Sequence, residues 1–387
     1  MILNFCLFKY FPYGGMQRDC LRLAIACHNE GYQVNILTIN WKGPKPDGLN
    51  IIEFPQKNFL NYKKYINFNN QILEFINQNY TAKNIKTLTI GFNKMQGLDI
   101  YYAADGCFMT KNQSSAKFHR ITGRFKYFKR MEHIVFNNNL DNKTKILFLI
   151  DKQKDIYQNY YKTDSSRLYI MPPVIEILDK IKILNNKKAI NDPEINQYKE
   201  NLKYGLDIRK DELIFLLIGS GFKTKGLDRI LLGLNYIKNH GIENFKLLVA
   251  GNDKSSSFDS LIKKLNLRNN IIFTGGRSDV AELMQTADLL LHPAYNENTG
   301  KVIIEAMSSG LPVICSGACG FAKYVKESEA GIVLDDFIQE EFNKSLYSLI
   351  IDENKRQNFS ENGKKYGVNF QKDADAQKLL EVIRAFN

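Results

Sequence analysis

Residues 291 to 316 have the sequence LHPAYNENTGKVIIEAMSSGLPVICS, in which two short apolar runs flank a segment with helical periodicity. LLLHP and PVICS are typical of buried strands, and KVIIEAMSSG predicts a helix that begins at Gly300. Glu297 stands in the loop before this helix, and Glu305 lies about a turn and a half inside it. The stretch therefore predicts part of an α/β domain, with two acids eight residues apart beyond the end of one strand.

The same alternation of strands and helices extends along the chain of 387 residues. In the first half, ILNFCLF, QVNILTI and TLTIGF predict strands, and MQRDCLRLAIACHNEG predicts an amphipathic helix closed by Gly31. In the second half, LIFLLIG, FKLLVAG, IIFTG, LLLHP, PVICS and GIVL predict strands separated by helix-length segments. We predict an α/β protein of two Rossmann-like domains with parallel sheets, whose strand ends face each other across a cleft.

A polar segment rich in Lys and Asn, at 180 to 201, predicts an exposed connector or a helical insertion, with the domain boundary close to Pro172 and Pro173. The predicted parts are a first domain at 1–173, a second domain at 174–365, and a C-terminal helix at 366–387 that returns toward the first domain.

Composition excludes several classes of protein. With 44% hydrophobic and 24% charged residues the chain is globular, and its apolar runs are far shorter than the roughly 20 residues that span a bilayer. The first residues lack a basic leader and a small-residue cleavage site, which predicts a cytoplasmic protein. Six scattered cysteines predict a reduced compartment, and Cys315 and Cys319 favour buried packing over a metal pair because no second Cys or His pair lies nearby.

The net charge of +12 belongs entirely to the first half. Residues 1 to 173 contain 24 Lys and Arg against 12 Asp and Glu, and residues 174 to 387 contain 29 against 29. Such a half favours an anionic partner, which is nucleic acid, acidic lipid or a phosphorylated glycan.

Two glycine-containing loops follow predicted strands and precede helices. In KYFPYGGMQRD, Gly14 and Gly15 allow a ligand phosphate or sugar to approach the backbone, although a turn that merely needs glycine explains them equally well. Asp19, one turn into that helix, either faces the cleft or favours the helix dipole. In IGSGFKTKGLDR, Lys223 and Lys225 offer positive charge to a diphosphate, unless they are simply solvated.

The helix after Gly300 explains the paired acids. Free N–H groups of Gly300, Lys301 and Val302 would face an anionic donor, while Glu297 reaches a sugar hydroxyl or the reaction centre. Glu305 would accept hydrogen bonds from a ribose diol. The alternative is that both acids are surface residues that suit the helix, but VIIEAM is too apolar for a purely exposed face.

The E-x7-E pair, with HPAY before it and GLPVI after it, resembles the retaining glycosyltransferases of family 4, which have the two-domain GT-B fold. KYFPYGGMQRD, IGFNKMQGLDIYYAADGCF, LHPAYNENTG and IEAMSSGLPVICS are similar to the members that add an α-1,3-linked glucose to an inner-core heptose of lipopolysaccharide. The similarity covers nearly the whole chain and fades at 175 to 205. It implies transfer of glucose from UDP-glucose to the lipopolysaccharide core at the cytoplasmic face of the inner membrane.

The resemblance also implies roles for individual residues. Lys225 would bind the diphosphate and Glu305 the ribose, while Glu297 and the backbone of Asn298, Thr299 and the following residues would contact the sugar. From the first domain, Gly14 and Gly15 would pack against the donor, with Asp105 beside the donor sugar and Asp19 facing the acceptor.

One position departs from the family pattern. Many members have an Arg five residues before the loop lysine, and this chain has Ser220 there, so Lys223, Arg277 or backbone donors would complete the diphosphate site. The resemblance implies a reaction without metal. Asp373-Ala374-Asp375 matches the D-x-D pattern of metal-dependent enzymes, but it lies in a polar C-terminal helix that we place away from the cleft.

The segment 107 to 136 contains seven Lys and Arg and one acid, Glu132. Its apolar residues Phe118, Ile121, Phe125 and Phe128 have helical spacing, as in helices that lie on anionic membranes. A core-packed stripe with a solvated basic face is the alternative, and no signature of nucleic-acid binding accompanies the segment. The predicted membrane contacts are Lys117, Arg120, Arg124, Lys126, Lys129 and Arg130.

The main functional hypothesis is therefore a UDP-glucose-dependent transferase that acts on lipopolysaccharide core and rests on anionic inner-membrane lipids. A relative that transfers another hexose from a UDP-sugar to a different glycan or glycolipid is the alternative within the enzymes. A basic scaffold or nucleic-acid-binding protein is the alternative outside them, and DNA binding without UDP release would favour it.

Overall fold

The computed structural model describes residues 1–12, 14–112, 120–175, 177–189, 193–370 and 374–386. The chain forms two compact units. The first contains Met1–Pro172 and Asp373–Asn387, and the second contains Pro173–Lys372. The division lies between the two prolines near which the sequence placed it, whereas the return to the first unit comes at residue 373 instead of 366.

A seven-stranded parallel sheet lies at the centre of the first unit, with the strand order β3-β2-β1-β4-β5-β6-β7. The strands are β1 (Ile2–Tyr10), β2 (Gln33–Trp41), β3 (Asn50–Glu53), β4 (Thr87–Gly91), β5 (Ile100–Ala103), β6 (Lys145–Phe148) and β7 (Leu168–Ile170). The helices are α1 (Gly15–Asn29), α2 (Asn61–Asn79), α3 (Phe108–Lys111), α4 (Gly123–Phe136) and α5 (Asp151–Tyr161), with 3-10 turns at Thr81–Lys83 and Ser165–Arg167.

Side chains of β1 alternate between two apolar layers, as the period of a strand requires. Leu3, Phe5 and Leu7 pack with α1 and with the C-terminal helix Ala374–Arg384. Cys6 and Phe8 point to the other face, where they pack with residues of α2, α4 and α5. Because both faces are covered, β1 is apolar almost throughout, as expected of a central parallel strand.

A six-stranded parallel sheet forms the second unit, with the order β10-β9-β8-β11-β12-β13. The strands are β8 (Leu213–Ile218), β9 (Phe245–Ala250), β10 (Ile271–Gly275), β11 (Leu289–His292), β12 (Val313–Ser316) and β13 (Gly331–Leu334). The helices are α6 (Leu178–Ala189), α7 (Pro193–Gly205), α8 (Leu227–Asn239), α9 (Asp259–Lys264), α10 (Val280–Thr286), α11 (Lys301–Ser308), α12 (Ala322–Ser328), α13 (Gln339–Ile351) and α14 (Glu353–Gly367), with 3-10 turns at Ser255–Phe258 and Arg268–Asn270. The C-terminal helix of the first unit is α15 (Ala374–Arg384).

The first unit resumes later than predicted because α14 belongs to the second unit and packs closely on α11. A Cβ atom at Gly363 would lie 2.4 Å from the carbonyl oxygen of Met307, and one at Gly367 would lie 2.8 Å from the Cβ of Ser308. Glycine at these two positions, one turn apart, lets the helices approach each other at this distance.

The predicted strands are confirmed in both halves, as is the helix closed by Gly31, whose φ is +86°. The segment 180 to 201 forms most of α6 and α7, so the helical insertion is the correct alternative. It is less exposed than an open connector would be, because Ile181, Leu184 and Ile195 are buried and α6 packs against α10 and α11.

All six cysteines are buried with free thiols, as the sequence predicted. Cys315 lies in β12, and Cys319 lies in the loop after it, with its Sγ atom 3.7 Å from the Oγ atom of Ser316. Both side chains are therefore packed in the interior of the second unit, which is the packing alternative.

Candidate functional site

The order of the second sheet determines where a crevice forms. β8 pairs with β9 on one side and with β11 on the other. The chain therefore turns toward β9 after β8, and toward β12 on the opposite side after β11. Ligands of open α/β sheets bind where the loops at the carboxyl ends of such strands separate. Lys225 lies in the loop after β8, and Glu297 lies in the loop after β11.

The backbones of these two loops are in contact. Gly226, the last residue of the β8 loop, has a φ of +83°, and a Cβ atom there would lie 2.2 Å from the carbonyl oxygen of Pro293. The N–H of Tyr295 donates to the carbonyl of Thr224 at 2.9 Å. Arg229 donates to the Pro293 carbonyl at 2.9 Å and stacks on the Tyr295 ring at 3.6 Å from its centroid. These contacts fix the two loops relative to each other.

Lys225 and Glu297 form an ion pair whose side chains are only 19% and 14% exposed. Burial lowers the pKa of the Lys225 ammonium. His292, the last residue of β11, lies beside the pair, with its Nε2 atom 3.4 Å from an Oε2 oxygen of Glu297. Burial and the charge of Lys225 lower the pKa of His292 to about 3, so its imidazole is neutral at physiological pH.

The backbone around Glu297 is held by the loop that follows β12. The N–H of Gly320 donates to the carbonyl of Glu297 at 3.2 Å, and the N–H of Phe321 donates to the carbonyl of Thr299 at 2.8 Å. Gly300 has a φ of +79° and caps α11, so the predicted start of this helix is confirmed. Asn298 lies in the same turn. The segment 297–300 is therefore held by the loop after β12 and by the start of α11.

The first turn of α11 contains Lys301 and Val302, both half-buried. N–H groups at the start of a helix have no partner within the helix and present positive potential. Glu305 is half-buried, next to the buried Ile304 and Ala306, which agrees with the expectation that this face is not purely exposed. Its predicted ribose contact stays a prediction.

The other cations predicted for the diphosphate pair with acids close by. Lys223 contacts Asp228 at 2.6 Å and is 70% exposed. Arg277 pairs with Asp279, whose carboxylate also accepts a hydrogen bond from the Tyr198 hydroxyl at 2.6 Å. Of the three cations, Lys225 is therefore the one joined to the paired acid Glu297.

A cavity of about 310 Å³ lies at the carboxyl ends of β9 and β10. Asn252 accepts a hydrogen bond from the N–H of Gly276 at 2.9 Å, and its own N–H donates to the Oγ of Ser220 at 3.3 Å. The Ser220 position therefore connects the β8 loop to this cavity. The volume is at the lower end of the range of small-molecule sites. The lining residues are Phe222, Gly251, Asn252, Asp253, Ser255, Phe273 and Gly275.

The first sheet has the same topological feature, because β1 pairs with both β2 and β4. The loop after β1 contains Gly14 and leads into α1 at Gly15. A Cβ atom at Gly14 would lie 1.9 Å from the Oε1 atom of Gln17, whereas one at Gly15 would meet nothing within 4 Å. A side chain at 14 would thus displace the Gln17 side chain, and Gly15 keeps open space at the start of the helix. Tyr13 lies outside the described residues.

Asp19 belongs to a buried network in the first unit. Its carboxylate accepts a hydrogen bond from the Tyr102 hydroxyl at 2.9 Å and pairs with Arg22 at 3.3 Å. Arg22 also forms a bidentate pair with Asp375, which belongs to the D-x-D match at 373 to 375. Asp375 therefore ties α15 to α1. The predicted contact of Asp19 with an acceptor stays a prediction.

Asp105 follows β5 and is exposed. Its carbonyl oxygen accepts hydrogen bonds from the Gln153 side chain and from the Tyr157 hydroxyl, the latter at 3.2 Å. The backbone is therefore fixed while the carboxylate is directed to solvent. A role beside the donor sugar stays a prediction.

Glu132 stabilises the same loop from within the first unit. This fully buried carboxylate accepts hydrogen bonds from the N–H groups of Phe108 and Met109 at 2.7 and 3.0 Å, and from the Lys94 ammonium at 2.7 Å. Tyr161 donates a further hydrogen bond at 2.9 Å. Although burial opposes it, these partners lower the pKa of Glu132, so the group is ionised at neutral pH. The only acid of the basic segment is thus a structural anchor.

The basic residues of the segment 107–136 that the structure describes are exposed, apart from Lys111, whose side chain is not described; they are Arg120, Arg124, Lys126, Lys129 and Arg130. The predicted apolar stripe is only partly available to a membrane. Ile121 is 65% exposed, but Phe125 is buried against Phe108, and Phe128 contacts the Tyr65 and Tyr127 rings. The prediction is therefore corrected to core packing for Phe125, whereas Phe128 is half-buried among these rings. Lys117 and Phe118 lie outside the described residues.

Other exposed apolar residues lie beside this segment. Phe59 and Leu60, just before α2, are 101% and 51% exposed. They line a groove together with Tyr62 and with residues 122–124 at the start of α4. None of the helices in the described part of the chain is long and apolar enough to cross a bilayer.

Comparison with known proteins identifies the family. The family described as glycosyl transferases group 1 matches residues 199–366. The chain is 35% identical over 384 residues to the lipopolysaccharide glucosyltransferase WaaG of Escherichia coli K12, which covers 99% of this chain and 96% of that protein. The chain belongs to the group 1 glycosyltransferases.

Solved structures of glycosyltransferases support the same assignment. The crystal structure of WaaG, a glycosyltransferase involved in lipopolysaccharide biosynthesis, matches 98% of this chain and 99% of that one with a TM-score of 0.86 and 32% identity. Anabaena HepE in complex with UDP-glucose matches 100% of both chains with a TM-score of 0.72, but at 13% identity it shows the fold alone. The predicted GT-B fold is therefore confirmed.

Several residues of this group 1 glycosyltransferase site were not predicted from the sequence. His292 was interpreted only as part of a strand, and Asn252, Phe222 and Phe273 were not singled out. The available signal was position: His292 ends a predicted strand, Asn252 and Phe222 follow predicted strands, and Phe273 lies within one. Polar residues at the carboxyl ends of parallel strands are the ones to examine first.

Proposed function

We propose that this chain transfers glucose from UDP-glucose to a heptose of the lipopolysaccharide inner core, with retention of configuration, at the cytoplasmic face of the inner membrane. The observation that carries the proposal is the half-buried Lys225–Glu297 pair at the crevice of the second sheet, in a chain 35% identical along its length to a lipopolysaccharide glucosyltransferase. HepE, which has the same fold, is described with UDP-glucose bound.

In this proposal the binding of the donor separates Lys225 from Glu297, and each side chain then contacts the donor. The Lys225 ammonium binds the diphosphate, and the N–H groups at the start of α11 add positive potential. Glu297 then contacts the transferring sugar, and Glu305 accepts hydrogen bonds from the ribose diol. The cavity at Asn252 takes the base, because it lies next to the β8 loop and has polar groups and two aromatic rings.

The proposed chemistry exchanges one bond for another at the anomeric carbon. The bond from this carbon to the diphosphate oxygen breaks, and the acceptor hydroxyl forms a new bond on the same face. The acceptor proton passes to the leaving phosphate oxygen, so UDP serves as the base. Lys225 is placed to stabilise the negative charge that develops on this oxygen. From the first unit, Gly14 and Gly15 would pack on the donor, with Asp105 beside the sugar.

A transfer assay with purified protein tests the donor and the acceptor directly. We expect purified protein to release UDP from UDP-glucose only when a heptose-terminated core oligosaccharide is present, and to form an α-linked product by mass spectrometry and NMR. Preference for UDP-galactose or UDP-N-acetylglucosamine would replace the donor in the proposal. If none of the three donors extends the heptose acceptor, the proposal is rejected. An intact core in a strain that lacks the protein would also reject it.

Glu305→Ala is expected to weaken UDP binding about 5-fold to 150-fold, because a ribose diol loses a charged acceptor worth about 1 to 3 kcal/mol. Titration calorimetry with UDP measures this change. Glu340→Ala, which removes an exposed acid from α13 of the same unit, is the matched control and should bind UDP as the wild type does. Equal affinity in the wild type and Glu305→Ala would remove Glu305 from the site.

Activity is expected to survive an excess of EDTA, because Lys225 and the N–H groups of α11 meet the charge of the diphosphate in this proposal. The initial rate of UDP release is measured before and after dialysis against EDTA. A complete loss of rate that Mn²⁺ or Mg²⁺ restores would contradict the metal-free mechanism.

The surface around α4 supports the proposed location at the inner membrane. We propose that the exposed cations of residues 107–136 attract anionic lipid headgroups, and that Ile121, Phe59 and Leu60 supply apolar contact in place of the buried Phe125. Interfacial binding combines these two contributions. Nucleic acid is not a proposed partner.

A further inference from the structure

His292 has a position in the second unit that packing alone does not explain. It is the last residue of β11 and is fully buried, yet neither ring nitrogen has a hydrogen-bond partner among the described residues. A buried polar group without a partner costs free energy, so it needs an explanation. Its Nε2 atom is directed at Glu297, 3.4 Å from Oε2, about 0.5 Å longer than a typical N–H···O hydrogen bond.

We propose that His292 is a positioning residue, whose Nε2–H group holds the Glu297 carboxylate when Lys225 turns to the diphosphate of the donor. This inference rests on the proposed function, because it takes the donor to be the group that draws Lys225 away. It adds a residue to the site and specifies a tautomer that can be measured without any substrate.

The geometry requires such a second partner. Without donor, Lys225 neutralises Glu297 inside a site where the carboxylate is 14% exposed. Once Lys225 contacts the diphosphate, the carboxylate remains enclosed near a second negative charge, which is unfavourable without a replacement donor. His292 already faces the same oxygen, and a small movement of the carboxylate completes the hydrogen bond.

The surroundings of the ring favour a neutral donor over a cation. Lys225, in the loop after β8, pairs with Glu297 beside the ring, and Cys319, after β12, places its Sγ atom 3.7 Å from the His292 carbonyl oxygen. The charge of Lys225 and complete burial both oppose protonation of the ring. Glu297 is the acid that faces the imidazole, and a carboxylate accepts hydrogen bonds only, so the proton belongs on Nε2.

Long-range ¹H–¹⁵N correlation spectra of protein labelled with ¹⁵N-histidine test the tautomer. The chain has five histidines, and the signals that vanish in His292→Gln identify this ring. We expect neutral His292 with the proton on Nε2 from pH 8 to pH 5, and a change in its Nε2–H resonance when UDP is added. A proton on Nδ1, or a charged ring at pH 7, would overturn the proposal even if the protein transfers glucose as proposed.

Kinetics separate positioning from packing. His292→Phe keeps a ring but removes the donor, so kcat is expected to fall about tenfold to a hundredfold, while UDP affinity changes less than about threefold. His292→Gln places an amide N–H near the former Nε2 position and is expected to restore part of kcat. His240→Phe, at an exposed histidine after α8, controls for loss of a histidine.

A double-mutant cycle decides whether His292 acts through Glu297. In a Glu297→Gln background, His292→Phe is expected to cause little further loss of kcat, because the charged acceptor is already gone. Additive losses, or equal kcat for the Phe and wild-type proteins, would overturn the positioning role. If no sugar transfer is detected in any variant, the proposed function fails, and the tautomer spectra still decide the pairing of His292 with Glu297.

Discussion

A variant with Gln at the six basic positions of the segment 107–136 is expected to lose sedimentation with phosphatidylglycerol liposomes. The positions are Lys117, Arg120, Arg124, Lys126, Lys129 and Arg130, of which Lys117 lies outside the described residues. Each basic residue near an anionic surface contributes about 1 kcal/mol, so six account for about 6 kcal/mol, or about four orders of magnitude in partitioning. UDP affinity should not change, since Lys225 and Glu305, which are proposed to bind UDP, belong to the second unit.

A control of equal charge shows whether the location of the cations matters. Gln substitution of six other exposed lysines of the first unit leaves the segment intact and lowers the net charge by the same amount; these are Lys42, Lys83, Lys86, Lys143, Lys152 and Lys162. We expect this control to sediment nearly as the wild type does. Equal loss in both variants would show that net charge alone drives binding, and sedimentation of the first variant with anionic liposomes would refute the proposed surface.

Salt and apolar substitution separate the two contributions to binding. Sedimentation of the wild type should fall as salt rises, because screening shortens the reach of the surface potential. Phe59→Ser with Leu60→Ser should weaken binding at all salt concentrations, whereas Leu140→Ser, which changes a 97% exposed leucine after α4, should not. Equal binding of the wild type to neutral and anionic liposomes would contradict the electrostatic contribution.

The sequence predicted the elements whose burial is continuous. β1, β2, β4, β8, β9, β11 and β12 have apolar runs that need no further information, because both faces of a central parallel strand are covered. β11, β12 and β13 have only four residues each and were predicted, so length does not explain why β3, β6 and β7 were not singled out. Their place in the sheet depends on pairing with neighbours distant in the sequence.

The local sequence did not predict which side chains contact one another in the folded protein. Phe125 and Phe128 have the same spacing as an interfacial stripe, and only the packing of Phe108 and Tyr65 against them shows that Phe125 is buried and Phe128 half-buried. Glu132 was interpreted as the one acid of a basic face, yet it binds the N–H groups of Met109 and Phe108 at the start of α3, 23 and 24 residues earlier. Such contacts are set by tertiary structure and have no local periodicity.

The paired acids show both sides of this limit. Spacing from a strand and a helix start placed Glu297 and Glu305 correctly on the loop and on α11. Spacing did not reveal that Glu297 pairs with Lys225, 72 residues earlier in the chain, or that His292 lies beside both. This ion pair determines whether loss of the Glu297 carboxylate strengthens or weakens UDP binding.

Glu297→Gln is expected to lower kcat about a hundredfold to a thousandfold, while UDP binds as tightly as in the wild type or more tightly. The turnover falls because a charge that contacts the sugar in the transition state is removed, and losses of this size are typical of such groups. The affinity does not fall because the carboxylate competes with the diphosphate for Lys225 in the ligand-free protein. Steady-state kinetics and calorimetry with UDP measure the two effects separately.

Lys225→Met is the informative partner of this variant, because it removes the other half of the ion pair. It is expected to weaken UDP binding and also to lower the free energy of unfolding, since Glu297 is left enclosed without its cation. The double variant should regain stability relative to Lys225→Met while it stays inactive, because the uncompensated carboxylate is gone. Weaker UDP binding in Glu297→Gln, to the same extent as in Lys225→Met, would show that the two side chains bind the nucleotide together instead of competing, and would remove the exchange of partners on which the proposed mechanism depends.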